Sequence, residues 1–134
     1  ERFPRINLLV DIYNLISLKT RLALGAHDIK HVTGNISLRF TTGTENLLPL
    51  GHTKNKNVSS NEYAYIDDSN TILCRLEVLQ VEQNKITETS RDIFLIVQGN
   101  ENTENKYIEN ANIEVLSLIK RFCNGETQSL NSLT

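Results

Sequence analysis

Between residues 11 and 28 the chain carries five side chains able to act on a ligand: Asp11, Asn14 and Ser17, spaced three apart, then His27 and Asp28 side by side after Gly25. A spacing of three drifts slowly around a helix, so the first three form a polar stripe on one face of an otherwise apolar segment. Burying such groups without partners costs roughly 1–3 kcal/mol each, so Asp11 and Ser17 are expected to satisfy backbone groups of neighbouring loops. Asn14 is the stronger ligand-binding candidate, because its amide both donates to and accepts from a carbonyl or hydroxyl. His27 beside Asp28 has the composition of a general base acting on water: an imidazole near a carboxylate accepts a proton around neutral pH. Gly25 is expected to sit in a turn that brings backbone close to a ligand.

Other chemistries find less support in the residues. His27 and His31 stand four apart, as two metal ligands on a helix would, but zinc needs a third protein ligand and no matching motif follows. No metal or cofactor is expected. Cys74 and Cys123 lie far apart with no metal-type spacing, and Cys74 reads as core. Ser-His-Asp and glycine-rich phosphate patterns are absent from the sequence. No apolar run is long enough for a signal or membrane segment, so a reducing cytosol is the default location and no membrane partner is expected.

These candidates must be positioned by elements legible from periodicity. Ile6, Leu9, Val10, Tyr13, Ile16 and Leu18 predict a largely buried helix over 6–19, with Gly25 closing the region and one further turn over 27–32. The period then changes to two, as Ile36, Leu38 and Phe40 alternate with Ser37, Arg39 and Thr41 to predict a half-buried strand before the turn Thr42-Gly43-Thr44. A short strand over 46–51 ending at Pro49, a polar loop over 52–61 and a strand from 62 to the turn Asp67-Asp68-Ser69-Asn70 are expected next. A strand over 71–81 with a bulge near Leu79, and a central strand over the apolar run 93–97, precede a helix over 107–122 stopped by Asn124-Gly125. Two helices bracketing closely spaced strands, with no helical crossovers, predict an α+β fold with a mostly antiparallel, barrel-like sheet flanked by helices. One domain is expected over 1–125, with no internal repeat and a disordered tail over 126–134. The 134 residues include no methionine, so the chain is expected to be a portion of a longer product whose N-terminal segment is missing.

A formal net charge of −2 argues against a generic nucleic-acid binder, whose affinity comes from many cations releasing phosphate counterions. The charge is uneven, however. Residues 1–60 hold eight Lys or Arg against four Asp or Glu, and residues 61–134 six against twelve. Any RNA should therefore meet the first half, where Lys19, Arg21, Lys30, Arg39, Lys54 and Lys56 are the candidates.

The series Pro4, Ile6-Asn7, Leu9-Val10-Asp11, Tyr13-Asn14, Ser17-Leu18, Gly25-Ala26-His27-Asp28, Leu38-Arg39, Pro49-Leu50-Gly51, Leu73-Cys74-Arg75 and Thr87 resembles the tRNA-binding and editing domain of the phenylalanyl-tRNA synthetase beta subunit. More narrowly it is similar to the solo version of that domain, over about residues 3–99 and most strongly over 4–39. The resemblance implies an α+β domain around a closed barrel, with a pocket admitting the aminoacylated end of a tRNA. In synthetases that pocket hydrolyses tyrosine wrongly attached to phenylalanine tRNA. Asn14 and His27 match its asparagine and histidine, with two extra residues between them, and are the implied catalytic pair. Ser17, Gly25, Asp28 and Arg39 are the expected substrate contacts, and Lys19, Arg21, Lys30, Lys54 and Lys56 the expected RNA contacts. Two departures stand out: the family's pocket glutamate falls on Ile96, and its glycine-rich pocket segment is not found near 73–79. The expected function is binding of tRNA or aminoacyl-tRNA, ranked above hydrolysis of a mischarged aminoacyl-tRNA in trans because the pocket carboxylate is missing. There His27 would orient or deprotonate water while Asn14 holds the amino acid or terminal ribose. The alternatives are a non-catalytic module binding an amino acid or a protein through the same pocket, and a structural remnant of a larger synthetase subunit.

Overall fold

The computed structural model describes residues 7–75, 81 and 84–130. Helix α1 (Leu8–Thr20) starts where Asn7, in extended conformation, accepts from the Val10 N–H at 2.9 Å and so satisfies one of the donors a helix start leaves open. It stops at Arg21, whose left-handed φ of 58° turns the chain away while its N–H donates to Ser17 O at 2.8 Å. Val10, Ile12, Tyr13 and Ile16 are buried. Leu18, expected on the apolar face, is instead 76% exposed: two residues past Ile16 it has swung to the opposite side of the helix. Ile6 lies outside the described residues.

Helix α2 (Asn105–Cys123) ends at Asn124, again left-handed with φ 56°, and buries Ala111 and Val115. It packs on α1. Lys19 pairs with Glu114 across that contact, and the Tyr107 hydroxyl donates to Thr20 O at 2.9 Å.

Strand β1 (Ala23–Asp28) occupies the segment expected to be a glycine turn, so Gly25, His27 and Asp28 all belong to a strand. Ala23, Gly25 and Ala26 have weak strand preference, which is why the sequence gives no strand signal there; pairing with β5 (Ile93–Gln98) in a two-stranded sheet holds the conformation. That pairing also changes the reading of β5. Expected to be central, it has only β1 as a described partner, and all six of its residues are half-buried. The expected turn after β1 is a 3-10 turn (Ile29–His31), capped by Asp28, whose Oδ1 accepts from Lys30 N at 2.9 Å.

Strands β2 (Ile36–Phe40), β3 (Tyr63–Asp67) and β4 (Ile72–Arg75) form an antiparallel sheet with β3 in the middle. Its inner face contributes Ala64, Ile66 and Ile72 to a core completed by Leu47, Val58 and Val81. The alternation in β2 has the expected phase but a different outcome. Leu38 and Phe40 face away from this core, pair in register with Tyr65 and Tyr63, and are exposed, with Phe40 edge-on to Tyr63 at 4.4 Å. The strand expected over 46–51 is reduced to two isolated bridges, Asn46 to Thr71 and Pro49 to Val81, because proline offers no N–H to extend a ladder. An irregularity in register falls between Tyr65 and Ile66, while the bulge expected near Leu79 lies outside the described residues.

Two adjacent carboxylates, buried Asp67 and exposed Asp68, fasten the loops of this sheet. Asp67 accepts from the backbone N–H groups of Thr33, Ser69 and Thr71 and from the Ser69 hydroxyl. Burial alone would raise its pKa; these donors hold it below the usual carboxylate value. Asp68 accepts from both the backbone and the side-chain amide of Asn35, and Gly34 between these contacts has φ +67°. A Cβ at Gly34 would lie 2.2 Å from Asp68 Oδ2.

The fold is therefore α+β, with two helices, and the described residues form open sheets without a closed barrel. The chain divides into two compact units, residues 1–25 with 95–134 and residues 26–94. In the first, α1 and α2 supply the core; in the second, the three-stranded sheet does. Residues 126–130 carry no helix or strand, though Asn112 Nδ2 donates to Ser129 Oγ at 3.2 Å, and the last four residues lie outside the described set.

Candidate functional site

His27 is the most unusual polar group in the chain. Its side chain is only 1% exposed on β1, and among the described residues its Nδ1 has no hydrogen-bond partner. Burial lowers its pKa to about 4, so the imidazole is neutral at neutral pH. A buried polar atom without a partner costs free energy, on the order of 1–3 kcal/mol. A neutral imidazole can still accept or donate a hydrogen bond. As a Brønsted base it is weak, because efficient proton abstraction wants a pKa nearer the working pH.

Asn14 lies on the exposed face of α1 in the unit that also holds Ser17 and Gly25, whereas His27, Asp28 and Arg39 belong to residues 26–94. Ser17 donates to Leu22 O at 2.7 Å, the backbone-satisfying role expected of it. Gly25 is an interior strand residue. The Arg39 guanidinium is engaged within the fold: it donates to Glu45 at 2.8 Å, to Asn70 Oδ1 at 2.7 Å and to Phe40 O at 3.1 Å. Glu45 has a fully covered side chain, and burial by itself would raise its pKa. Donation from Arg39 and from the Thr42 backbone and hydroxyl brings it down to about 2. Arg39 and Glu45 thus fix the turn after β2.

Among the expected RNA contacts, Lys19 is paired with Glu114 and Arg21 caps α1. Lys30, Lys54 and Lys56 are exposed in the other unit. The metal spacing loses its premise, since His27 is on a strand and His31 closes the 3-10 turn rather than sharing a helix face. Cys74, expected in the core, is half-buried on β4, and burial there raises its thiol pKa to about 11, so the thiol stays protonated at neutral pH.

One concavity in residues 26–94 gathers Asp28 and Lys30, both expected as ligand contacts, with residues the sequence did not single out for it. It measures about 650 Å³ and is lined by Asp28, Lys30, His31, Thr71, Lys85, Thr87 and Thr89. Ser90 Oγ joins its two sides by donating to Asp28 Oδ2 at 2.5 Å. Hydrogen bonds from Ser90 and Lys30 N keep Asp28 below its ordinary pKa, helped by the charges of His31 and Lys30. Lys85, Thr89 and Ser90 were not legible as site residues, because lysines and hydroxyls isolated in the sequence do not specify one.

Three comparisons bear on this arrangement. A family model described as B3/4 domain matches residues 1–124. Among solved structures, the chain is similar to an N-terminal fragment of the phenylalanyl-tRNA synthetase beta subunit from Pyrococcus horikoshii, at 15% identity and a TM-score of 0.68. That match covers 83% of this chain and 38% of the other, and at such identity it shows likeness of fold. No curated protein matches the chain.

Proposed function

The chain belongs to the B3/4 domain family, and from that premise we propose that it binds tRNA or aminoacyl-tRNA and hydrolyses a mischarged aminoacyl ester in trans. The observation that carries the reading is His27: a neutral, buried imidazole with an unpartnered nitrogen, at the position matching the histidine of the synthetase editing pocket. In the proposed reaction a water oxygen attacks the ester carbonyl carbon, the bond to the ribose oxygen breaks, and that oxygen takes up a proton. His27 orients the water rather than deprotonating it outright, in keeping with its depressed pKa, and Asn14 holds the amino acid or terminal ribose. An activated ester needs modest help, so positioning supplies much of the rate. The proposed setting is the cytoplasm, with RNA meeting Lys19, Arg21, Lys30, Lys54 and Lys56.

Ile96 favours a second reading. It stands where the family's pocket glutamate falls, and it is a half-buried apolar residue of β5, so a non-catalytic module binding an aminoacylated end, an amino acid or a protein would need no carboxylate there. Incubating the purified chain with a panel of mischarged tRNAs decides between the two. Release of at least one amino acid above the spontaneous rate supports the hydrolase. Retention of every ester together with measurable tRNA binding supports the module.

A further inference from the structure

We infer that the pocket formed by Asp28, Lys30, His31, Lys85, Thr87 and Thr89 binds the phosphate and ribose of a ribonucleotide. This deepens the tRNA reading and rests on it only in the choice of RNA as one source of the ligand. The concavity is open to solvent, and its volume of about 650 Å³ is enough for a nucleotide-sized ligand. Its lining includes Lys30, Lys85, His31 and the hydrogen-bonded hydroxyl pair Thr87 and Thr89, residue types that can donate to phosphate oxygens.

The hydroxyls are held in place before any ligand arrives. Thr87 Oγ1 and Thr89 Oγ1 are 3.0 Å apart, Thr89 N donates to Thr87 Oγ1 at 3.3 Å, and Thr87 N donates to Ser90 Oγ at 3.0 Å. Ser90 in turn is bound to Asp28. A wall fixed by its own side chains loses little freedom on binding.

The single carboxylate makes the site more specific than a phosphate cradle. Asp28 accepts one bond on each oxygen, from Lys30 N and from Ser90, and a carboxylate has about four acceptor positions. The remaining capacity suits a hydroxyl donor placed beside the phosphate, which a ribose provides. A strand of RNA and a free ribonucleotide share that chemistry.

The test follows backbone amide resonances of the full chain while inorganic pyrophosphate, a ribonucleoside monophosphate, its 2′-deoxy counterpart or an RNA trinucleotide is added. Shifts at Lys30, His31, Thr87 and Thr89 are expected, with the ribonucleotide binding more tightly than the deoxynucleotide. Lys30→Ala and Thr87→Val change exposed side chains and should each weaken pyrophosphate binding about fivefold, the scale of one exposed ion pair for the first and of one hydrogen bond for the second. Asp28→Asn should erase the ribose preference. Tighter binding of the trinucleotide identifies RNA as the source, and tighter binding of the mononucleotide identifies the free ribonucleotide; both support the pocket. Absence of shifts at millimolar ligand, or affinity in Lys30→Ala and Thr87→Val equal to that of the wild type, overturns it. Deacylation without nucleotide shifts at these residues overturns the pocket and leaves the hydrolase standing, whereas shifts without deacylation do the reverse.

Discussion

At the scale of single residues, His27 joins a stability statement to a chemical one. Its pKa is about 4 in the folded chain and about 6.5 when unfolded, so above pH 6.5 neither state binds the proton. As pH falls from 6.5 toward 4 the unfolded chain protonates first and stability declines, by about 3 kcal/mol in total; below that the folded state also protonates and the slope ends. Urea denaturation at pH 7, 5.5 and 4.5 should show this decline in the wild type and a flatter profile in His27→Gln. Equal slopes would remove the buried imidazole as its cause. Glu45 acts in a separate window: its depressed pKa contributes stability above about 4.5 that is lost as pH falls toward about 2. In deacylation, His27→Ala removes the group that orients the water and should slow the rate by roughly 10²-fold, the scale of a lost alignment, with tRNA affinity nearly unchanged. Asn14→Ala, on an exposed helical position, should leave stability within about 0.5 kcal/mol and change which amino acid is released. An unchanged amino-acid profile would remove Asn14 from the reading.

At the scale of elements, the core side of the three-stranded sheet carries the fold of residues 26–94. Ile66 is fully buried among Leu47, Val58, Ala64, Ile72 and Val81, so Ile66→Ala should cost about 2–5 kcal/mol in chemical denaturation, while Leu38→Ala on the outer face should cost far less. Comparable losses would mean the outer face is covered in solution. Periodicity revealed α1, α2, β2 and β3, because their apolar residues recur at 3.6 or 2 and their ends carry Asn, Gly or Asp turn chemistry. It did not reveal β1, whose small residues take their conformation from pairing with a strand some 70 positions on. The candidate site divides in the same way. Asn14 and His27 were legible as residue types, but the hydroxyl-lined pocket depends on Ser90 reaching Asp28 across 62 positions, a contact that no local pattern encodes.

Charge acts at the scale of the whole molecule. The cationic bias of residues 1–60 predicts weak RNA association that falls as salt rises, since few phosphate contacts are available. Reversing Lys19 and Arg21 should weaken it more than reversing Lys120 and Arg121; both pairs sit at helix C-termini, and because Lys19 also pairs with Glu114, unchanged helix content in each variant completes the comparison. Equal losses in a filter-binding titration would remove the reason for assigning that half to RNA. The aromatic side chains give the molecule a further property. There is no tryptophan, and the four tyrosines are shared evenly: Tyr13 and Tyr107 in the helical unit, Tyr63 and Tyr65 on β3 in the sheet unit. Ultraviolet emission is therefore pure tyrosine and draws on both units. Replacing Tyr63 with tryptophan, on the exposed outer face beside Phe40, would place a single indole fluorophore that reports on the sheet alone, separable by wavelength from the helical pair.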